Sequence, residues 1–212
     1  LQSGTINSEQ LCSISAKYMD LISFNYYTYA IEKPFLDRIY AWTNKPMILS
    51  EFYFDSPSDS GLPGGGKDVA NQEERGLAYR NYVEPAASLD YIVGIEWFTL
   101  VDASRTGVAY AKYGGENPNN GLFSVVDRPW KAMIASMVKT NYAIYPVLLG
   151  EQKPFVYDQP KFNASAAANR VVSVPRATGP IKLDGGSVNW PGTPAEQIPA
   201  SRLVQGKDAG GV

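Results

Sequence analysis

The stretch Lys45-Pro46-Met47-Ile48-Leu49-Ser50-Glu51-Phe52 decides how the chain is read. Lys45-Pro46 breaks what precedes it, and Met47 to Phe52 is a short, almost wholly apolar run of strand length. A strand that apolar is buried on both faces, as in a parallel sheet covered by helices. Its one acidic residue, Glu51, stands near the C-terminal end. A carboxylate there is costly unless it is hydrogen-bonded or used.

On both sides of this stretch the same strand-then-helix unit recurs. Leu21 to Asn25 is β-prone, and Pro34 opens a segment, Phe35 to Trp42, with apolar residues at helical spacing. Beyond Phe52 and a glycine-rich loop, Asn71 and Glu74 have the spacing of a capping box. The helix they begin runs toward Leu89, and Pro85 is expected to kink or interrupt it. Tyr91 to Phe98 reads as a third strand, and Asp127 with Pro129 as the opening of a last helix bearing Trp130, Met133 and Met137. A further helix, Ser8 to Tyr18, precedes the first strand. No glycine fingerprint follows that strand, and long polar loops follow the strands' C-terminal ends, which favours an α/β barrel over a doubly wound sheet. A complete barrel needs about 250 residues. The expected fold class is therefore α/β, a partial (β/α)8 TIM barrel over residues 1–145, followed by a proline-punctuated linker, 146–169, and a truncated β-rich module, 170–212. Leu1 and Val212 read as the ends of a segment cut from a longer chain.

Composition narrows the chemistry. The 212 residues include no histidine, which removes Ser-His-Asp and Cys-His nucleophile systems and HExxH zinc sites, leaving Asp, Glu, Tyr and Lys. The lone Cys12 forms no intrachain disulfide and reads as a small buried hydrophobe. A net charge of -2 without a basic run argues against nucleic-acid or membrane-surface binding. No apolar stretch approaches the about 18 residues of a spanning helix. Gly61 to Asp68 imitates a phosphate-binding loop but ends in Asp68, where a Ser or Thr hydroxyl is needed, and is expected to be a flexible loop near the barrel mouth.

In a barrel the C-terminal strand ends form the active face. There Glu51 is bracketed by Asn25-Tyr26-Tyr27 on one neighbouring strand and Glu96-Trp97-Phe98 on the other. An anionic nucleophile, a Tyr hydroxyl to orient it and an aromatic plane to stack on a pyranose make a sugar site. Strand parity argues against Glu96 as a second catalytic carboxylate, because with Trp97 facing the mouth Glu96 faces the helices. Plainer roles stand beside these: Glu51 as a buried ion-paired carboxylate, the tyrosines and Trp97 as core, and Trp42 and Trp130 as packing.

Four motifs occur in order: Ser50-Glu51-Phe52, Asn71-Gln72-Glu73-Glu74-Arg75, Gly94-Ile95-Glu96-Trp97-Phe98, and Gly115-Glu116-Asn117 with Gly121-Leu122. Together they resemble the last third of a clan A glycoside hydrolase barrel, as in the β-agarases and related β-galactosidase-like enzymes, over about residues 15–145. The resemblance implies that the three strands are the sixth, seventh and eighth of the barrel and that Glu51 is the nucleophile of a retaining mechanism. It implies that Tyr27 hydrogen-bonds Glu51, that Trp97 is the sugar platform, and that Asn25, Asp102, Glu116 and Asn117 contact substrate. The clan's acid/base is a Glu following Asn, and no Asn-Glu pair occurs here, so the resemblance puts that residue upstream of Leu1. It further implies a galactose-containing polysaccharide substrate, no cofactor or metal, and a secreted or periplasmic location. Pro180 to Gly185 with Trp190 resembles the opening strands of family 9 or DOMON-like carbohydrate-binding modules. The alternative is a non-catalytic carbohydrate-binding protein on a barrel scaffold. A Schiff-base lyase or aldolase is disfavoured because no Lys ends any of the three strands.

Overall fold

The structure, a computed structural model, describes residues 6–64, 66–105 and 116–157. The elements run α1 (Glu9–Tyr18), β1 (Ile22–Asn25), α2 (Lys33–Thr43), β2 (Met47–Phe52), α3 (Pro57–Ser60), α4 (Gln72–Ala87), β3 (Ile92–Trp97) and α5 (Lys131–Leu148). The strands form a parallel sheet in the order β1-β2-β3, with α2 crossing from β1 to β2 and α4 from β2 to β3. These successive βαβ units are the repeat expected from the sequence. The expected module at 170–212 lies outside the described residues.

Local chemistry sets most boundaries. Ser8 caps α1 by accepting from the Leu11 amide at 3.3 Å. Pro34 lies in the first turn of α2, where a missing N–H costs nothing, and Asn44 ends that helix in the left-handed region at φ 47°. Asn71 caps α4 by accepting from the Glu74 amide at 2.8 Å. The Glu74 carboxylate does not close a capping box; it accepts from the Tyr157 hydroxyl at 2.7 Å.

Three expectations at helix ends need correction. Pro85 does not interrupt α4, which continues to Ala87. Sitting in the last turn, it removes only one backbone bond near the end of the ladder. Asp127 adopts φ 57° and does not cap α5, whose preceding residue Trp130 supplies no side-chain cap. The expected boundary at 145 also fails, since α5 runs to Leu148 and the chain beyond packs back along α4. There the Phe155 amide donates to Glu84 Oε2 at 2.8 Å and the Tyr157 amide to Asn81 Oδ1 at 3.1 Å.

The core lies between the sheet and α2 and α4. Ile22 and Phe24 of β1, Met47, Leu49 and Phe52 of β2, and Leu36, Ile39 and Tyr82 from the helices are buried together. Phe52 stacks on Tyr82 with centroids 4.1 Å apart and planes at 5°, and the Tyr82 hydroxyl donates to the Tyr26 carbonyl at 2.7 Å. On the outer side α4 meets α5 through Gly76, where a Cβ would lie 2.5 Å from Ser136 Oγ.

An irregularity in β2 sets the direction of its last side chains. Asn25 pairs with Glu51 although Phe24 pairs with Leu49, and Phe52 pairs with Trp97 although Leu49 pairs with Ile95. One extra residue is thus inserted in β2, a bulge that re-aims the side chains after it. Strict alternation would put Glu51 on the same face as buried Leu49. With the bulge, Leu49 and Phe52 both face the core and Glu51 emerges half-buried on the opposite face.

Candidate active site

Glu51 is held from the neighbouring strand. Its Oε1 accepts from the Tyr27 hydroxyl and its Oε2 from Asn25 Nδ2 at 2.7 Å. Asn25 is itself fixed by Ser50 Oγ, which donates to Asn25 Oδ1 at 3.4 Å. Both carboxylate oxygens therefore have a donor, and the group is oriented without an ion pair among the described residues. Burial first, then the hydrogen bond to Glu51 and the charges of Glu51 and Glu116, push the Tyr27 phenol well above its ordinary pKa. Tyr27 stays protonated, a permanent donor.

A separate buried polar cluster joins α4 to the loop around Gly121. Arg75 of α4 is fully buried and donates from Nε to Phe54 O at 2.8 Å, from Nη1 to Gln72 Oε1 at 2.7 Å and from Nη2 to Gly121 O at 3.0 Å. Burial pulls its pKa down to about 10, against the raising charges of Asp102, Asp55 and Asp59. Asp102, 6% exposed, accepts from Asn119 Nδ2 at 2.9 Å, from the Gly121 amide at 2.7 Å and from Trp130 Nε1 at 2.9 Å. Burial raises its pKa more than these donors and Arg75 lower it. Gly121 sits so close to the backbone of Val101 and Asp102 that no side chain fits there.

The expected site residues divide accordingly. Glu51 and Tyr27 are in contact, as expected from the sequence. Asn25 was expected to touch substrate, but both ends of its amide are engaged by Glu51 and Ser50, so it positions Glu51 instead. Asp102 was expected to meet sugar hydroxyls; buried, with its acceptors filled by protein donors, it braces the loop around Gly121. Trp130 is half-buried, and its indole N–H is one of those donors as well as a packing group. Glu116 is exposed and close enough to act on the Tyr27 and Tyr53 phenols. Asn117 Nδ2 donates to the Arg105 carbonyl at 3.1 Å, and Arg105 Nη1 to the Gly61 carbonyl at 3.0 Å, which ties two loops together.

Trp97 was expected to present a free plane at the mouth. It is half-buried on the core side, edge-on to Phe52 at 5.2 Å and tilted against Tyr79 of α4 at 5.9 Å. The Arg75 guanidinium lies 5.5 Å from its ring centroid, and its Nε1 donates to the Asn120 carbonyl at 2.7 Å. The parity argument then reverses. Glu96 is exposed on the face opposite Trp97, the face that carries Gly94 against Ile48 and Glu51.

The imitation phosphate loop is also anchored, at the residues that follow Gly65. Buried Asp55 accepts from the Gly66 amide at 3.2 Å, and backbone bonds join Asp55 to Lys67 at 3.3 Å and to Val69 at 2.7 Å. The expectation of a flexible loop gives way to a braced one. Sequence reasoning missed Tyr53, Gln72 and Asn119. For Tyr53 the signal was present: alternation carried on past Phe52 puts Tyr53 on the face of Glu51, as its burial pattern bears out.

The middle strand of a parallel sheet thus offers a carboxylate clamped by a phenol and an amide, and comparison with known proteins shows homology to glycoside hydrolases of the β-agarase kind. Over 132 residues, 62% of this chain and 13% of that protein, the chain is 36% identical to β-agarase B of Vibrio sp. (strain JT0107). It is 28% identical over 138 residues to β-agarase A of the same organism, covering 14% of that protein. Among solved structures, an exo-β-agarase superposes with a TM-score of 0.61 at 33% identity, over 66% of this chain and 18% of that one. The chain thus spans a small fraction of the relatives it matches. No protein-family model matches it.

Proposed function

We propose that the chain carries the nucleophile half of the active site of a retaining glycoside hydrolase, with β1, β2 and β3 as the sixth, seventh and eighth strands of a (β/α)8 barrel. The observation that carries this reading is the bulge that turns Glu51 out of the core and into the grip of Tyr27 and Asn25. Ionised Glu51 attacks the anomeric carbon as the glycosidic C–O bond breaks, and the leaving oxygen takes a proton from an acid/base contributed by another part of the barrel. Water then attacks the glycosyl-enzyme, that same group acting as base, and Glu51 departs with the configuration retained. Tyr27 and Asn25 hold the carboxylate in line for both steps, and Glu116, exposed at the rim, meets sugar hydroxyls.

The agarase names of the relatives support a galactose-containing polysaccharide as substrate and, with it, a secreted or periplasmic protein. Among the described residues no helix is long and apolar enough to cross a membrane. The motif at Pro180 to Gly185 supports a carbohydrate-binding module beginning near 170. The experiment is Glu51→Gln in the full-length protein, assayed on agarose, together with a mechanism-based fluorosugar applied to the unsubstituted protein to mark the nucleophile. Turnover lower by several orders of magnitude with the fold intact, and a label on Glu51, are expected. A label on Glu96 instead rejects the assignment.

A further inference from the structure

Tyr53 follows Glu51 by two residues and points to the same face, since Phe52 and Phe54 on either side of it are buried in the core. Its ring meets Tyr27 edge-on, with centroids 5.3 Å apart and planes at 80°. From the other side Gly66 presses on it: a Cβ there would lie 2.5 Å from Tyr53 Cε2, so the ring needs a glycine at this place in the loop that Asp55 anchors. The ring is therefore fixed. The hydroxyl is not committed, because no described residue hydrogen-bonds it and it is not sealed from solvent.

Among the described residues, the charges that act on this hydroxyl are those of carboxylates. Burial and the carboxylates of Asp55, Glu116, Asp68 and Glu51 hold the phenol well above its ordinary pKa, which keeps it a neutral donor. The nearby cations are turned to other work, Lys67 lying over the Tyr29 ring at 5.3 Å and Arg105 on the Gly61 carbonyl. These carboxylates disfavour a group bearing its own negative charge beside the hydroxyl.

Resting on the glycoside hydrolase reading, we propose that Tyr53 contacts substrate and sets specificity: its ring walls the subsite beside Glu51, and its hydroxyl hydrogen-bonds an uncharged sugar hydroxyl. Sulfated or carboxylated sugars are refused at that position. The ring also backs Tyr27, so one residue links the choice of sugar to the orientation of the nucleophile.

The test uses the full-length protein with Glu51→Gln, which stops turnover, titrated calorimetrically with agarose oligosaccharides and with a sulfated galactan oligosaccharide of equal length. Adding Tyr53→Phe keeps the ring and removes the hydroxyl. It is expected to weaken binding of the neutral oligosaccharide about tenfold, the value of one well-placed hydrogen bond. The sulfated ligand should bind at least about tenfold less well than the neutral one before that change. Gly66→Ala, which leaves the hydroxyl present but crowds the ring, should reproduce the loss. Binding unchanged within about twofold by Tyr53→Phe, or equal affinity for sulfated and neutral ligands, overturns this inference and leaves the glycoside hydrolase reading standing. No sugar binding by the Glu51→Gln protein overturns both.

Discussion

Replacing Trp97 by alanine separates a structural residue from a sugar platform, because the two roles put the loss in different measurements. A tryptophan buries about 150–250 Å² when enclosed. Half of that, at about 25 cal/mol per Å², is about 2.5 kcal/mol. The aromatic contacts with Phe52 and Tyr79 add about 1 kcal/mol, and the indole hydrogen bond to Asn120 about 1 kcal/mol more. The total, about 4.5 kcal/mol, falls in the usual range for a buried Trp→Ala change and is a large share of a domain's about 5–15 kcal/mol. In the full-length protein the readout is urea-dependent hydrogen exchange of the α4 amides, which reports on this region alone. At a slope of about 2 kcal/mol per M the midpoint should fall by about 2 M. Sugar affinity of the protein still folded at low urea should change little. A midpoint moved by less than about 0.3 M, with a tenfold loss of affinity, would refute the core assignment and restore Trp97 to the mouth.

Glu51→Gly should recover part of its lost turnover in azide and yield a glycosyl azide of inverted configuration, since the anion fits the space the carboxylate leaves; a retained product would exclude Glu51 as nucleophile. Tyr27→Phe removes one of the two donors on Glu51 and should lower kcat about 10- to 100-fold with thermal stability kept. A drop under about threefold means that Asn25 alone suffices. Asp102 binds its proton more tightly folded than unfolded, so its contribution to stability is complete below the ordinary aspartate value of 3.8 and is lost as pH rises through the raised folded value. Asp102→Asn is less stable overall, having lost an acceptor for Trp130 or Asn119, but the gap from wild type should narrow between pH 4 and pH 7. A gap that widens with pH means that the ionised carboxylate is favoured in the fold.

Elements dominated by local signals were legible in the sequence. Ser8, Pro34 and Asn71 mark helix ends through groups within four residues, and β2 was bounded correctly because Lys45-Pro46 and its apolar run are local facts. The Tyr27–Glu51 contact was reached through resemblance and strand order. What failed depended on register between strands. A bulge is invisible in one strand read alone; Trp97 was set at the mouth by resemblance, and parity within β3, sound in itself, then dismissed Glu96 from a premise that does not hold. The burial of Asp102 was illegible for a related cause: its donors, Asn119, Gly121 and Trp130, are brought to it by a loop whose path no periodicity encodes.

The segment after α5 bears on how this part of the molecule comes apart. Glu84 is wholly enclosed, and its carboxylate is shared by Arg80 at 3.0 Å and Thr140 at 2.8 Å as well as the Phe155 amide. Arg80 is in turn covered by the Phe155 ring, 4.1 Å from its centroid. Peeling residues 155–157 away would leave a buried anion short of a donor and its counter-ion bared to water, so the strap does not fray independently of the helices beneath it. Its amides should open to exchange together with the α4–α5 pair, as one cooperative unit, and a protease should find residues 153–157 resistant until that pair unfolds.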